Sequence, residues 1–352
     1  MKGKISTFIS IIAVTVILAG SLLGCSKEAK ETGKTNAQEE NGSSEQIDAD
    51  GLVVRSSLFH TPAYDTQLYI AKEKGFFEEE FAKDNITLEL TSFANGPAAN
   101  EALIAGQIDI AFAIGDQPMI TGIVAGSNAT AIAKLSRQTS TQGIYVAADS
   151  DITSVADLKG KGLGVAVGTF THKCVIGILE DNGLSEDDVE IANLLTINEQ
   201  IAALEGGDIA GFASNYSTTY EYVKAGTLKQ LVDFTNHPAA TYLVVSNDFI
   251  KKYPEVTQRL VNVIVRTQQW ANENQEEAAK LVAEFTGQNY DAVYELRSRV
   301  DFNLAITQED IKQTENTYKF LLDHDYVSNE LEDTSVIFND SFITKALAEL
   351  GK

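Results

Sequence analysis

Four short polar stretches each follow an apolar run and open an amphipathic one: Pro62 to Asp65, Gly115 to Pro118, Gly168 to His172, and Ser214 to Ser217. If the apolar runs are strands and the amphipathic ones helices, every stretch holds a helix N-terminus. There the first backbone N–H groups lack intrahelical partners and the helix dipole is positive. Several such ends on one cleft suit an anion or a polar head group. The stretch Gly168-Thr169-Phe170-Thr171-His172 is the richest. Its glycine lets the backbone approach a ligand, its two hydroxyls can donate, and His172 falls in the first helical turn. Tyr64, Asp116, Gln117, Asn215 and Tyr216 complete the candidate ligand set, with His60 and Arg137 expected close by. One such loop alone reads as ordinary capping, because Thr and Asp start helices everywhere. Four together point to a site.

Other chemistries find little support. The four histidines (His60, His172, His237 and His324) show no His-x-x-x-His or His-Glu-x-x-His spacing, so no metal site is expected. No Gly-x-Ser-x-Gly elbow and no Gly-x-x-x-x-Gly-Lys phosphate loop is present. Glu186-Asp187-Asp188 reads as a solvated turn. No cofactor is called for, and nothing in the pattern asks for catalysis. Cys174, in the apolar run Cys174-Val175-Ile176, reads as a buried, inert thiol.

The elements that must position these loops alternate strand with helix, the pattern of an α/β protein with mostly parallel sheets. Leu52 to Arg55, Ile86 to Leu90, Ile108 to Ile114, Gly164 to Val167 and Tyr242 to Ser246 read as strands. Helices are expected between them, ending at Gly75, Gly106 and near Gly183, with Gly96-Pro97 opening one of them. An internal echo supports two similarly wound lobes. Ala102-Leu103-Ile104-Ala105-Gly106-Gln107-Ile108-Asp109-Ile110-Ala111 recurs as Ala203-Leu204-Glu205-Gly206-Gly207-Asp208-Ile209-Ala210-Gly211. From Asp248 onward the chain reads as helical, with Val256, Leu260, Val263, Ile264 and Thr267 on one buried face and no further strand. This helical tail is expected to wrap back over the first lobe.

The N-terminus carries a different chemistry. Lys2 and Lys4, the apolar run Ile5 to Leu23, and Leu22-Leu23-Gly24-Cys25 have the parts of a secretory signal. The last four residues resemble a bacterial lipobox, which implies that the Cys25 thiol is diacylated and becomes the new N-terminus. A simple membrane anchor is the alternative, since the run is near the roughly 20 residues a span needs. Residues 26 to 51 hold one large aliphatic side chain, Ile47, and read as a disordered tether. About 300 residues remain, more than one typical core and suited to two lobes. The 352-residue chain is 44% hydrophobic and 22% charged, ordinary globular material. Its formal net charge of −23 excludes nucleic acid as a natural partner and works against capture of an anion from afar. With Cys25 acylated, Cys174 has no partner for a disulfide.

Several motifs occur in a telling order: Tyr69-Ile70-Ala71-Lys72-Glu73-Lys74-Gly75-Phe76-Phe77, the Ala105-Gly106-Gln107-Ile108-Asp109 turn, Gly115-Asp116-Gln117-Pro118, Asp157-Leu158-Lys159-Gly160-Lys161, and Phe249-Ile250-Lys251-Lys252-Tyr253-Pro254. Over about residues 52 to 290 the chain thereby resembles the solute-binding proteins of ABC importers in the sulfonate, taurine and nitrate group and the thiamine-precursor group. The resemblance implies an α/β, two-lobed periplasmic-binding-protein-like fold, each lobe a mostly parallel sheet flanked by helices, joined by a two-strand hinge. The expected division is 1–24 signal, 25–51 tether, 52–143 first lobe, 144–240 second lobe, and 241–352 return to the first lobe with the C-terminal helices. The hinge is expected near Gln142 to Tyr145 and His237 to Thr241. Implied partners are a small solute, a permease with its ATPase, and the bilayer through Cys25, with the protein monomeric on the outer face of the cell membrane. The loops at Gly115 to Pro118 and Gly168 to Thr171 match the family's ligand contacts. Ser214-Asn215-Tyr216 stands where relatives carry a tryptophan-acid-proline turn, so the ligand is open: a sulfonate-like anion, or a heteroaromatic vitamin precursor held by Tyr64, Phe170 and Tyr216. A precursor-metabolising enzyme of this fold and a surface adhesin are the other readings.

Overall fold

The computed structural model describes residues 49–59, 66–328, 331 and 333–350. Cys25 and residues 26–48 of the tether, together with His60 and Tyr64 in the first of the four loops, lie outside the described residues, whereas Asp50 and Gly51 at the expected end of the tether are bonded to Asn85 and Asp84. In chain order, β1 (Val53–Leu58) leads through α1 (Thr66–Glu73) and α2 (Phe76–Phe81) to β2 (Thr87–Ser92). Then come α3 (Gly96–Ile104), β3 (Ile110–Gly115), α4 (Asp116–Val124) and the long β4 (Ala129–Gln138). The next part holds β5 (Gln142–Ala147), β6 (Gly162–Val165), α5 (Phe170–Asp181), β7 (Glu190–Asn193), α6 (Ile197–Gly206), β8 (Gly211–Asn215), α7 (Tyr216–Lys224) and β9 (Leu228–Asp233). After β10 (Ala239–Ser246) the chain is mostly helical: α8 (Asn247–Lys252), α9 (Pro254–Glu273), α10 (Gln275–Thr286), α11 (Tyr290–Arg297), a two-residue β11 (Val300–Asp301), α12 (Gln308–Asp323) and α13 (Ser341–Leu350).

Two sheets result. Their strand orders are β11-β4-β10-β3-β1-β2 and β7-β6-β8-β5-β9. Within the first, β2, β1 and β3 run parallel and β10 antiparallel; within the second, β7, β6 and β8 run parallel and β5 antiparallel. The chain passes from one sheet to the other between β4 and β5 and back between β9 and β10. β3, Ile-Ala-Phe-Ala-Ile-Gly, is buried along its whole length, as a central strand covered on both faces must be. Fully burying each of its isoleucines contributes about 1.5–3 kcal/mol.

The sequence echo is structural. α3 ends at Gly106, in the left-handed region with φ 67°, and Gln107 N–H donates to Ala102 O at 2.9 Å. α6 ends at Gly207, φ 77°, and Asp208 N–H donates to Ala203 O at 2.9 Å. Both are helix stops of the kind a C′ glycine makes, with the N–H of the next residue reaching back to satisfy a late carbonyl. Each turn then feeds a parallel strand at the centre of its sheet.

The C-terminal part departs from the expectation in one respect. The tail carries a strand, β11, which pairs Val300 with Gln138 and Asp301 with Arg137 at the far edge of the first sheet. Two residues are too few to leave a period-2 signature in a sequence. The expected buried face of α9 is present, with Val256, Leu260, Val263, Ile264 and Thr267 all buried. α13 returns Ile343 and Ala346 to that same core, and α12 packs Tyr318 and Leu321 against Met119 and Ile120 of α4.

Candidate functional site

The parallel strands of both sheets, β1, β2, β3, β6, β7 and β8, discharge their C-terminal ends toward one cavity of about 170 Å³. From the first sheet come Phe59 after β1, Phe93 to Gly96 after β2, and Ala113, Gly115 and Pro118 around the end of β3. From the second come Ala166, Thr169, Phe170 and Thr171 after β6, Leu195 after β7, and Asn215 at the end of β8. Ligands in open α/β sheets bind in such crevices beyond the strands' carboxyl ends. Three of the four expected loops therefore meet at one place, and the fourth lies outside the described residues.

The N-cap residues of four helices all line this cavity: Asn95 for α3, Gly115 for α4, Thr169 for α5 and Asn215 for α7. Only Asn95 caps with its side chain, its Oδ1 accepting from Ala98 N–H at 3.0 Å. Thr169 and Asn215 make no side-chain cap although both are good capping types, and Gly115 has no side chain to offer. Elsewhere Thr196 of α6, Asn289 of α11 and Thr307 of α12 cap with their side chains, whereas Ser246 of α8 and Asn274 of α10 do not. The cavity thus collects four helix ends: α3 is capped by Asn95, Asp116 Oδ1 takes the Gln117 N–H of α4 at 2.8 Å, and α5 and α7 have no side-chain cap. Among the described lining residues none is charged.

The two hydroxyls do not act as expected. Thr169 Oγ1 donates to Ala166 O at 2.7 Å, and Thr171 Oγ1 donates to Gln142 Oε1 at 2.7 Å. A hydroxyl has one proton, so both threonines lie on the wall with that proton committed to the protein. Donors toward a ligand fall instead to the backbone N–H groups of the first helical turns and to Asn95. The Asn95 carbonyl oxygen is fixed by its cap, which leaves the amide NH₂ to point away from the helix. The signal for Asn95 was in the sequence, as an N-cap residue before Gly96-Pro97.

Five of the proposed ligand residues lie off the cavity wall. Asp116 is fully buried and accepts from Lys173 Nζ of α5 at 2.5 Å and from Thr317 Oγ1 of α12 at 2.9 Å. It ties the two lobes together. Gln117, beside it, is buried with its Oε1 unpartnered. Gly168 has φ 79°, a conformation that favours glycine, and its N–H donates to His172 Nδ1 at 3.5 Å. His172 is buried, with Nε2 on Glu186 Oε1 at 3.1 Å and its ring edge-on to Tyr326. Burial holds its pKa below the ordinary imidazole value, although Glu186 pulls the other way. Tyr216 donates to Glu295 Oε2 at 2.6 Å, and the Arg299 guanidinium covers its ring at 3.9 Å. Burial, with Glu295, pushes its hydroxyl up to about 12. One face of its ring is already occupied by Arg299, so no ligand stacks on that face. Arg137 is spent on Glu309 and Asp310. Cys174 is buried, its thiol pushed up to about 12 by burial, and Sγ–H donates to His237 O.

Two local features of the wall left no trace in the sequence. Ala113, inside β3, has φ 57° where the β3–β10 register shifts, a bulge at the cavity. Gly115 faces the other lobe so closely that a Cβ there would stand 2.9 Å from Phe170 Cδ1. Only glycine fits between these walls without one of them moving.

A fold with two such sheets and their cleft defines a class, and comparison places the chain within it. The family model described as NMT1/THI5 like matches residues 63–278, and the chain belongs to that family. The putative aliphatic sulfonates-binding protein of Bacillus subtilis (strain 168) is 27% identical over 289 residues, covering 80% of this chain and 85% of that protein. Among solved structures, the alkanesulfonate-binding protein SsuA from Xanthomonas axonopodis pv. citri, bound to MOPS, superimposes with a TM-score of 0.69 at 20% identity, over 80% of this chain and 96% of its own. The expected periplasmic-binding-protein-like fold is therefore present. A mutant of the desulfurization enzyme DszB, in complex with biphenyl-2-sulfinic acid, superimposes with a TM-score of 0.67 at 19% identity, over 84% and 99% of the two chains. The fold thus serves both binding proteins and an enzyme, and only the site can separate the two.

Proposed function

We propose that the protein is the solute receptor of an ABC importer and that its cleft holds the head group of a small sulfonate-like anion. The single observation behind this is the convergence of four helix starts on a cavity without charged lining residues among those described, two of them, α5 and α7, with no side-chain cap. Such ends stabilise an anion through N–H groups and dipoles. Phe59, Phe93, Phe170 and Leu195 would flank the apolar body of the ligand. The name of the Bacillus relative favours a sulfonate over other anions. The wall offers no thiol, imidazole, carboxylate or amine among the described residues, which favours binding over catalysis. The Leu22 to Cys25 sequence supports a receptor tethered outside the cell by acyl chains. Loss of acyl labelling and of precursor cleavage in Cys25→Ser is the expected result; normal labelling would remove the anchor.

Asn95→Asp tests the sign of the ligand's charge. The variant keeps a cap oxygen for Ala98 N–H but replaces the outward NH₂ by a second carboxylate oxygen. Calorimetric titration with propanesulfonate should show affinity falling by about ten- to a hundredfold, the equivalent of a charged hydrogen bond. Tighter binding of a cationic or neutral heterocycle, with propanesulfonate unaffected, would favour the vitamin-precursor reading, for which the three phenylalanines are the supporting feature.

A further inference from the structure

A second cavity, of about 530 Å³, lies among Asn272 at the end of α9, Gln275 at the start of α10, and the segment from Tyr294 to Asn303. It shares no described lining residue with the cleft. Arg297 lines it, with Nη1 buried and without a hydrogen-bond partner. The other arginines are all engaged: Arg55, Arg137, Arg259 and Arg266 with carboxylates, and Arg299 with Ser140 O and the Tyr216 ring. Arg297 makes one contact of this kind, its guanidinium lying 5.1 Å from the centroid of the Phe302 ring. Burial draws its pKa down to about 10. A guanidinium nitrogen buried without a hydrogen-bond partner costs free energy that a folded chain ordinarily avoids.

We propose that Arg297 anchors a second ligand site, separate from the cleft, for a small monocarboxylate with a flat apolar body. A planar guanidinium fork matches a carboxylate in two parallel hydrogen bonds. The Phe302 and Tyr294 rings give the flat apolar wall, and the amides of Asn272 and Gln275 give neutral polar contacts. Asp301 sets the limit on charge. It stands on the same wall, 56% exposed, with its nearest cation, Lys134, at 4.0 Å, and it would repel a second negative group. The site does not depend on what the cleft binds.

Benzoate, with benzamide as its uncharged counterpart, is the probe for the full chain. Calorimetry should show benzoate binding, benzamide binding at least about tenfold more weakly, and a similar loss for benzoate in Arg297→Gln. Saturating propanesulfonate should leave benzoate binding unchanged, and Arg297→Gln should leave propanesulfonate binding unchanged. Arg297→Met distinguishes a ligand anchor from a structural residue, because it removes the unpartnered nitrogen and should hold or raise the thermal midpoint. Absence of benzoate heat at tens of millimolar, displacement by propanesulfonate, or wild-type affinity in Arg297→Gln would each overturn the proposal. So would a fall of several degrees in the midpoint of Arg297→Met.

Discussion

The turn from β3 into α4 and the turn from β8 into α7 start alike and end differently. Both strands are fed by a helix that stops at a left-handed glycine, and both put the last strand residue, Gly115 or Asn215, on the cavity wall. The next residue turns away from the ligand in each case. Asp116 goes into a largely buried ion pair with Lys173, whereas Tyr216 goes to a partly exposed contact with Glu295 and Arg299. The duplicated backbone fixes where a ligand can sit, and the first helical residue of each turn secures the lobes to one another and to the C-terminal helices. Ligand contacts in this fold are thus better sought at the N-cap than one residue later.

The largest expected effect tests that difference in burial. Lys173→Met leaves Asp116 buried without its cation and should cost about 3–5 kcal/mol in urea unfolding. Glu295→Gln, which removes the carboxylate that holds Tyr216 at the corresponding turn, should cost less than about 1 kcal/mol, as exposed charged contacts do. Equal costs would mean that the two turns are secured in the same way after all.

A smaller effect sharpens the distinction between working caps and vacant ones. Thr196→Ala removes a real cap, with Glu199 reciprocating, and should lower stability by about 1 kcal/mol without touching ligand affinity. Thr169→Ala should leave stability within about 0.5 kcal/mol. A cap-sized loss in Thr169→Ala would show that its hydroxyl contributes to stability, through α5 or through Ala166 O.

The smallest effect is a pH dependence confined to the second lobe. His172 has a folded pKa below the ordinary 6.5, so the unfolded chain binds the proton first. Where the unfolded state holds more protons, stability rises with pH. The thermal midpoint should therefore fall as pH drops through about 6.5 and level off below the depressed folded value. His172→Gln should flatten that slope, although Glu186, Tyr326 and His324 surround the ring and will shape it. A midpoint that rises on acidification would mean that Glu186 outweighs burial.

Much of this architecture is legible in local sequence because local chemistry enforces it. Gly106, Gly207 and Pro97 mark helix ends through backbone geometry alone, and the all-apolar β3 marks a central strand. The general location of the site follows from the same signals, as helix starts after strands. What each side chain does there is decided by partners distant in the chain. Lys173 claims Asp116 from 57 residues away and Glu295 claims Tyr216 from 79. The commitment of the Thr171 hydroxyl to Gln142, the bulge at Ala113 and the two-residue β11 depend on three-dimensional neighbours that no spacing encodes.

The Asp116–Lys173–Thr317 contact has one more consequence, for the kind of movement the protein can make. Asp116 is fully buried and Lys173 only 12% exposed, and α4 cannot part from α5 by a small amount without stretching the pair before water surrounds it. A slight gape would lose attraction and gain no hydration, while a wide one would return both ions to solvent. Intermediate separations are therefore the costly ones, and the lobes should occupy two discrete arrangements rather than drift through a continuum. Single-molecule distance distributions between the two sheets would show two resolved peaks, and one broad peak would argue that the pair exerts no such control.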